Sequence, residues 1–377
     1  MRFIMLLALT LSSLVFGIST KNFSVMSYNA ENLFDTVHDE GKNDYPYLPL
    51  ELKKTKYKKE AEEACLFQGP VGSTGFFRCF NLDWNEKTLE RKLLNLVKAI
   101  SMYDNGKGAD IVIMQEVENQ NVMNLLLEKA KPLGYKATLL LEDQDSRGID
   151  VAILSKYPIV SSKLHPGAAN TGIKRGIYQF NLNIHNSRVA ILGNHWPSQH
   201  NDVGDRMNAS DLFVKVGKSI GQVDAVIALG DYNTPDTETP NAVHAVYNDF
   251  FDARPEAEKL GAKLFPGTYK YRGKWDVLDR VLIRKDITRS KVKPVYETFE
   301  VINNDLLLGR ANLPPTQSGV RGGGFQGGRT GGNARTIQRP VFELLEDPTT
   351  GAPIRFNPAN GQGFSDHLPV GMKFEVN

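Results

Sequence analysis

The chain has 377 residues, 41% hydrophobic and 23% charged, with a formal net charge of +2. That length supports one large core or two modest ones. The near-neutral balance excludes a protein that coats nucleic acid through its overall field, so any basic surface must be local.

The chain begins MRFIMLLALTLSSLVFGIST, with Arg2 ahead of an apolar run from Phe3 to Phe16 and small residues from Gly17 to Ser19. This pattern predicts a secretory signal over residues 1–19, cut between Gly17 and Thr20, and a secreted or periplasmic mature chain. The run is short for a membrane span, and no Cys near the junction offers a lipid attachment point, so no stable membrane anchor is expected. A monomer is expected.

Beyond it, apolar runs alternate with helical patterns. FSVMSYN, ADIVIMQEV, DVAIL, RVAILGNHW, AVIALGDYN and VLDRVLI read as strands, and VMNLLLEKA as a helix. Leu89, Leu93, Leu96, Val97 and Ile100 recur at helical spacing, which predicts a helix laying one face on a sheet. Strands mixed with amphipathic helices indicate an α/β or α+β domain.

Two segments break the rhythm. Residues 39–83 form a polar, Lys-rich insertion, and residues 309–340 carry RGGGFQGGRTGGNAR; both read as long loops. The second is either a solvated loop or a flexible segment able to touch a nucleic acid backbone. Cys65 and Cys79, the only cysteines, flank thirteen residues of the first and read most simply as a disulfide in an exported chain. A zinc pair lacks neighbouring histidines, and two free thiols are the alternative.

Several strands end in polar tips: Asn29 and Glu31, Glu116, Asp150, Asn194 and His195, Asp231 and Asn233, Asp279, and Asp366 with His367. Carboxylates and amides suit a hard divalent cation such as Mg²⁺, Mn²⁺ or Ca²⁺ better than catalytic zinc. No P-loop or dinucleotide fingerprint is present. Any one tip could be a turn cap, and Glu31 reads equally as such a cap; the set carries the reading.

In this order the tips YNAENLFD, RGIDVAI, NHWPSQ, GDYN, GTYKYRGKWDVLDRVLI and SDHLPV resemble those of the endonuclease/exonuclease/phosphatase superfamily, in its bacterial secreted nuclease-like branch. The resemblance implies one DNase I-like domain over residues 20–377, a four-layer α/β sandwich of two packed mixed sheets flanked by helices. It implies a metal at Glu116 with Asn29, Glu31 and Asp366 close by, Asp231 acting on water, and Asn233 on a phosphoryl oxygen. It further implies His367 as catalytic imidazole with Asp279 fixing its tautomer, and His195 as a second imidazole with Asp150 as its carboxylate partner. Arg147 and Asn194 become candidate phosphate contacts. Arg280 after the LD pair and Gln199 after NHWPS depart from the pattern.

The resemblance implies an exported divalent-metal-dependent nuclease acting on DNA and possible RNA substrates. A sphingomyelinase-like or small-substrate phosphodiesterase is the alternative, with GFFRCF the nearest candidate for lipid contact. A noncatalytic binding module would have no use for both imidazoles, GDYN and Glu116.

Overall fold

A computed structural model describes residues 21–167, 175–308 and 351–377. The expected signal segment and the Gly/Arg stretch lie outside the described residues. The strands are β1 (Lys21–Leu33), β2 (Ile111–Val117), β3 (Ala137–Leu141), β4 (Asp150–Ser155), β5 (Ile159–His165), β6 (Ile177–Ile184) and β7 (Ser187–His195). They continue as β8 (Ala225–Asp231), β9 (Phe250–Asp252), β10 (Tyr269–Tyr271), β11 (Lys274–Asp276), β12 (Asp279–Arg284), β13 (Val292–Val301) and β14 (Val370–Val376). The helices are α1 (Leu50–Lys54), α2 (Lys58–Cys65), α3 (Thr74–Phe80), α4 (Glu86–Ser101), α5 (Gln120–Ala130), α6 (Val203–Ser219), α7 (Ala242–Ala245) and α8 (Ala253–Lys259).

Two six-stranded sheets face each other, one ordered β13-β14-β1-β2-β4-β3 and the other β5-β6-β7-β8-β12-β9. Each is antiparallel except for one inner parallel pair, β1 with β2 and β7 with β8. The inner faces form the main core, with Val25, Ile113 and Ile153 on one side and Ile191, Ile227 and Val281 on the other. This is the α+β, DNase I-like sandwich expected from the chain.

Helix α4 shows why the outer layers form. Asn85 caps it by accepting from the Thr88 backbone N–H at 3.1 Å, and Leu89, Leu93, Leu96 and Ile100 are buried on the first sheet. Each such side chain contributes about 1.5–3 kcal/mol by leaving water. On the second sheet, Phe213 and Val216 of α6 pack with Trp196, Tyr232 and Phe250.

The insertion at 39–83 is not a loop. It holds α1, α2 and α3, and Cys65 is bonded to Cys79. Its base is an aromatic cluster in which Tyr47 stacks on Phe34 at 4.0 Å and meets Trp84 edge-on, while Trp84 Nε1 donates to the Phe34 carbonyl at 3.0 Å. These long-range contacts tie both ends of the helical insertion to the residue that follows β1.

Candidate active site

The carboxyl ends of both parallel pairs open at the same edge of the sandwich. The β1–β2 register shifts between Asn29 and Leu33, and the β2–β4 register between Gln115 and Val117. At these bulges Glu31, Asn32 and Glu116 adopt left-handed φ of 52°, 60° and 59°, a costly backbone for residues other than glycine. A bulge re-aims its side chains, and Glu116 Oε2 accepts from the Asn32 backbone N–H at 3.1 Å.

On the second sheet, His195 stands opposite Asp231, and Asp231 opposite Asp279. Residues in one such row project from the same face. The two sheets approach closely here, since a Cβ on Gly193 would lie 2.6 Å from Val151 Cγ1. Asn233, at φ 48°, donates its backbone N–H to Asp231 Oδ1 at 2.8 Å and its Nδ2 to Oδ2 at 3.2 Å.

The C-terminal segment closes the cluster. Ser365 Oγ donates to the Asn29 carbonyl at 2.7 Å and accepts from the His367 backbone N–H at 3.1 Å. The segment is therefore a turn ahead of β14, which frees the adjacent Asp366 and His367 from the alternation of a strand. His367 Nδ1 lies 2.7 Å from Asp279 Oδ2. Its Nε2 then faces Asp231 Oδ2 at 3.8 Å and Asp366 Oδ1 at 3.9 Å. Asn29 Nδ2 donates to Asp231 Oδ2 at 3.2 Å, and His195 Nε2 is 3.8 Å from both Glu116 Oε1 and Asp231 Oδ2.

The two imidazoles are driven apart. Burial opposes charge on His367, but Asp279, Asp231 and Asp366 outweigh it and raise its pKa well above the usual value. Burial, with Arg175, Arg147 and His367 adding to it, drops His195 well below that value. One ring is thus held charged and the other neutral, the division of labour expected of acid–base chemistry. Burial, aided by Asp279 and Glu116 against His367, pushes Asp231 up to about 7.

The Endonuclease/Exonuclease/phosphatase family profile matches residues 74–321, more than half of the chain. The chain belongs to this family. It is accordingly a phosphoesterase, in a family whose enzymes generally use a divalent metal. No curated protein matches the chain. A humanized D. rerio TDP2 shares its fold at 13% identity and a TM-score of 0.52, over 94% of this chain and 98% of that one. A D. rerio TDP2 complexed with single strand DNA product does so at 15% and 0.51, over 94% and 98%. An endonuclease/exonuclease/phosphatase family protein from Bacteroides thetaiotaomicron does so at 11% and 0.51, over 95% and 99%. At these identities the likeness shows the fold alone.

Within this family member, most of the expected residues converge, and some do not sit as expected. Asn194 is fully buried on the opposite side of β7 from His195. Its Nδ2 donates to the Leu192 carbonyl at 3.0 Å, and its Oδ1 accepts from Trp196 Nε1 at 3.2 Å, so it braces the strand and cannot meet a phosphate. The pleat decides this, because neighbouring strand residues face opposite ways. Asp150 is not hydrogen-bonded to His195. Its Oδ1 accepts from the Asp143 backbone N–H at 3.0 Å and from Tyr178 Oη at 3.1 Å, while Asp150 Oδ2 and His195 Nδ1 have no partner among the described residues.

Asn233 has both Nδ2 hydrogens engaged, on Asp231 and on the Trp196 carbonyl at 3.1 Å, and so orients Asp231. Arg147 is half-exposed, and its charge reaches His195. Arg280 does not enter the cleft: it is buried on Asp252 at 2.7 Å and on Asp236. Gln199 is exposed.

The oxygen donors fit a hard divalent ion. Burial, then the neighbouring Asp366, pushes Glu31 up to about 7 against the pull of Arg355, which marks crowded carboxylates that a cation would relieve. Arg355 itself pairs with Glu31 and, at 3.3 Å, with Asp366, and Phe356 N–H donates to Glu31 at 3.3 Å. Glu31 is therefore already held, and Asn29 Oδ1 accepts from the Glu31 backbone N–H at 2.9 Å, which leaves Glu116 and Asp366 as the freer carboxylates. Asp231, Asp279 and His367 also offer atoms within 4.8 Å of one another, but the Asp279–His367 bond uses two of them, and that trio reads as a proton-handling array.

Other supporting residues escaped sequence reading. Thr268 Oγ1 accepts from the Leu278 and Asp279 backbone N–H groups at 3.1 Å each, and Tyr269 lies against the His367 ring at 4.9 Å. Both fall in GTYKYRG, whose signal was the motif itself. Lys92 and Arg355 gave no sequence signal.

Proposed function

We propose that this phosphoesterase is an exported, divalent-metal-dependent nuclease that hydrolyses DNA, with RNA as a further substrate. The observation that carries the reading is the buried array Asp279–His367–Asp231, met by His195, Glu116 and Asn29 from both sheets. Glu116, Asp366 and Asn29 would hold the ion, Mg²⁺ with Mn²⁺ or Ca²⁺ as substitutes, and its chemistry is to draw charge from the phosphoryl oxygens. Asp231, held by Asn29 and Asn233, accepts the proton of the attacking water. His367, charged through Asp279, donates from Nε2 to the developing oxyanion or leaving oxygen. His195 stays neutral and offers Nε2 to the same phosphate. Arg147, at the rim, steers the polyanion.

Export is supported by the N-terminal pattern and by the Cys65–Cys79 bond. Nucleic acid as substrate is supported by the sequence motifs and by the D. rerio TDP2 of the same fold that holds a single strand DNA product. The test is to incubate the mature chain with plasmid DNA and Mg²⁺. Degradation that stops with chelator and in His367→Ala is expected, and inertness toward DNA and RNA across several divalent ions rejects the reading.

A lipid phosphodiesterase is the second reading. Phe67, Val71 and Phe77 of the disulfide-bridged insertion are all exposed, Phe67 to 90%, and exposed apolar side chains on one insertion suit an interface. Dye release from sphingomyelin vesicles without plasmid cleavage would select it.

A further inference from the structure

We propose that Lys92 is a positioning residue of this active site, its ammonium fixing the turn that carries Asp366 and His367. Only the kinetic arm of its test rests on the phosphodiesterase reading.

Lys92 projects from the buried face of α4, among Leu89, Leu93 and Leu96, and is wholly shielded from water. An ammonium there is costly unless it is hydrogen-bonded and faces opposite charge. Its Nζ donates to the Phe364 carbonyl at 2.7 Å and sits 5.0 Å over the Phe356 ring. One turn along, Asn95 Nδ2 donates to the Gly361 and Gly363 carbonyls at 3.1 and 2.7 Å. Two side chains of one helix thus grip three carbonyls of the segment that runs directly into Ser365, Asp366 and His367.

Asn95 shows that a neutral amide suffices to hold carbonyls in this segment. What the lysine adds is charge: burial pulls its pKa down to about 8, and Glu31, Asp366 and Glu116 keep the ammonium protonated near neutral pH against that pull. Those carboxylates crowd the same edge, and a fixed cation behind the turn holds Asp366 and the His367 backbone against their mutual repulsion. The grip passes through Ser365 to Asn29, the β1 residue that also donates to Asp231 of the second sheet. Lys92 reaches no reacting atom; it acts through the turn.

The test compares Lys92→Met, Lys92→Arg and, as a control, Leu96→Ala in the full mature chain. One readout needs no substrate: the far-downfield proton NMR signal of the His367 Nδ1–H bond to Asp279. The other is kcat and KM on bis(4-nitrophenyl) phosphate with Mg²⁺. Lys92→Met should fold, lose or shift the downfield signal, and drop kcat about a hundredfold with KM little changed, as expected of a misplaced catalytic group. Lys92→Arg should restore the signal and much of kcat. Leu96→Ala should lower the melting midpoint while leaving signal and kcat alone.

Lys92→Met with the wild-type signal and kcat overturns the proposal, because the lysine is then only buried. Should Lys92→Met fail to fold, Lys92→Arg decides: the signal retained supports positioning, and a folded variant without it overturns positioning. If the wild type cleaves no phosphodiester, the functional reading fails, yet the NMR comparison still decides the role of Lys92.

Discussion

Nδ1 of His367 and Oδ2 of Asp279 lie 2.7 Å apart inside the protein, and the second imidazole nitrogen faces Asp231 at 3.8 Å. The contact joins the C-terminal turn to the first residue of β12, so two distant segments share one proton-handling unit. Thr268 holds the Asp279 backbone from behind.

Asp279→Asn tests that unit. The carboxylate raises the His367 pKa, so the imidazolium survives to high pH in the wild type. The amide removes that charge and can favour the wrong tautomer. The expected outcome is a kcat loss of about 10²- to 10⁴-fold, with the alkaline limb of the pH–rate profile moved to lower pH. An unchanged alkaline limb would count against the pairing.

Asp231 should set the acid limb. Its pKa, pushed up to about 7 chiefly by burial, leaves it protonated and unable to accept a proton below that value. Activity should therefore rise as pH increases toward neutrality, and bound cation should move the limb lower by favouring the carboxylate. The limb measured at several Mg²⁺ concentrations checks the sign.

Chelation should remove activity and added Mg²⁺ restore it. Glu116→Gln keeps the side chain's shape and removes its charge, so the half-saturating Mg²⁺ concentration should rise by at least about tenfold. Direct titration of Mn²⁺ by calorimetry should show the same weakening without substrate. Equal affinity in both proteins would remove Glu116 from the ion site.

Asn194→Ala should behave as a structural change. It deletes partners of Trp196 Nε1 and the Leu192 carbonyl in a buried layer, at a cost of about 1–3 kcal/mol. Urea unfolding should show that loss, while KM for plasmid or small diester stays near the wild-type value.

Asn194 and His195 also show where sequence stops. The NHW tip placed two polar residues at a strand end, but only the pairing of β7 with β8 decides which one faces the other sheet. The helical period of α4 was legible because Leu89, Leu93, Leu96 and Ile100 share one buried face. The insertion was not, since its two ends are tied together through Phe34, Tyr47 and Trp84, which lie far apart in the chain. Strand β5 is polar and half-exposed along most of its length, which leaves little period-two signal. The left-handed backbone at Glu31 and Glu116 had no glycine to announce it, and Lys92 looked like any lysine on a charged helix.

Glu118, two residues beyond Glu116, gives a stability prediction independent of catalysis. It is buried and accepts from the Asp35 backbone N–H at 2.7 Å and from Asn119 Nδ2 at 3.3 Å. Burial first, then Asp35, pushes its pKa up to about 10. A carboxyl raised on folding favours the folded state fully below its unfolded value, and that contribution is lost as pH rises toward the folded value. The loss runs at about 1.4 kcal/mol per pH unit at most. Glu118→Gln keeps an oxygen for both donors and never ionises. The variant should match the wild type in urea near pH 5 and exceed it by about 2–4 kcal/mol near pH 8. A gap that stays constant with pH would mean that Glu118 is ionised in the folded protein.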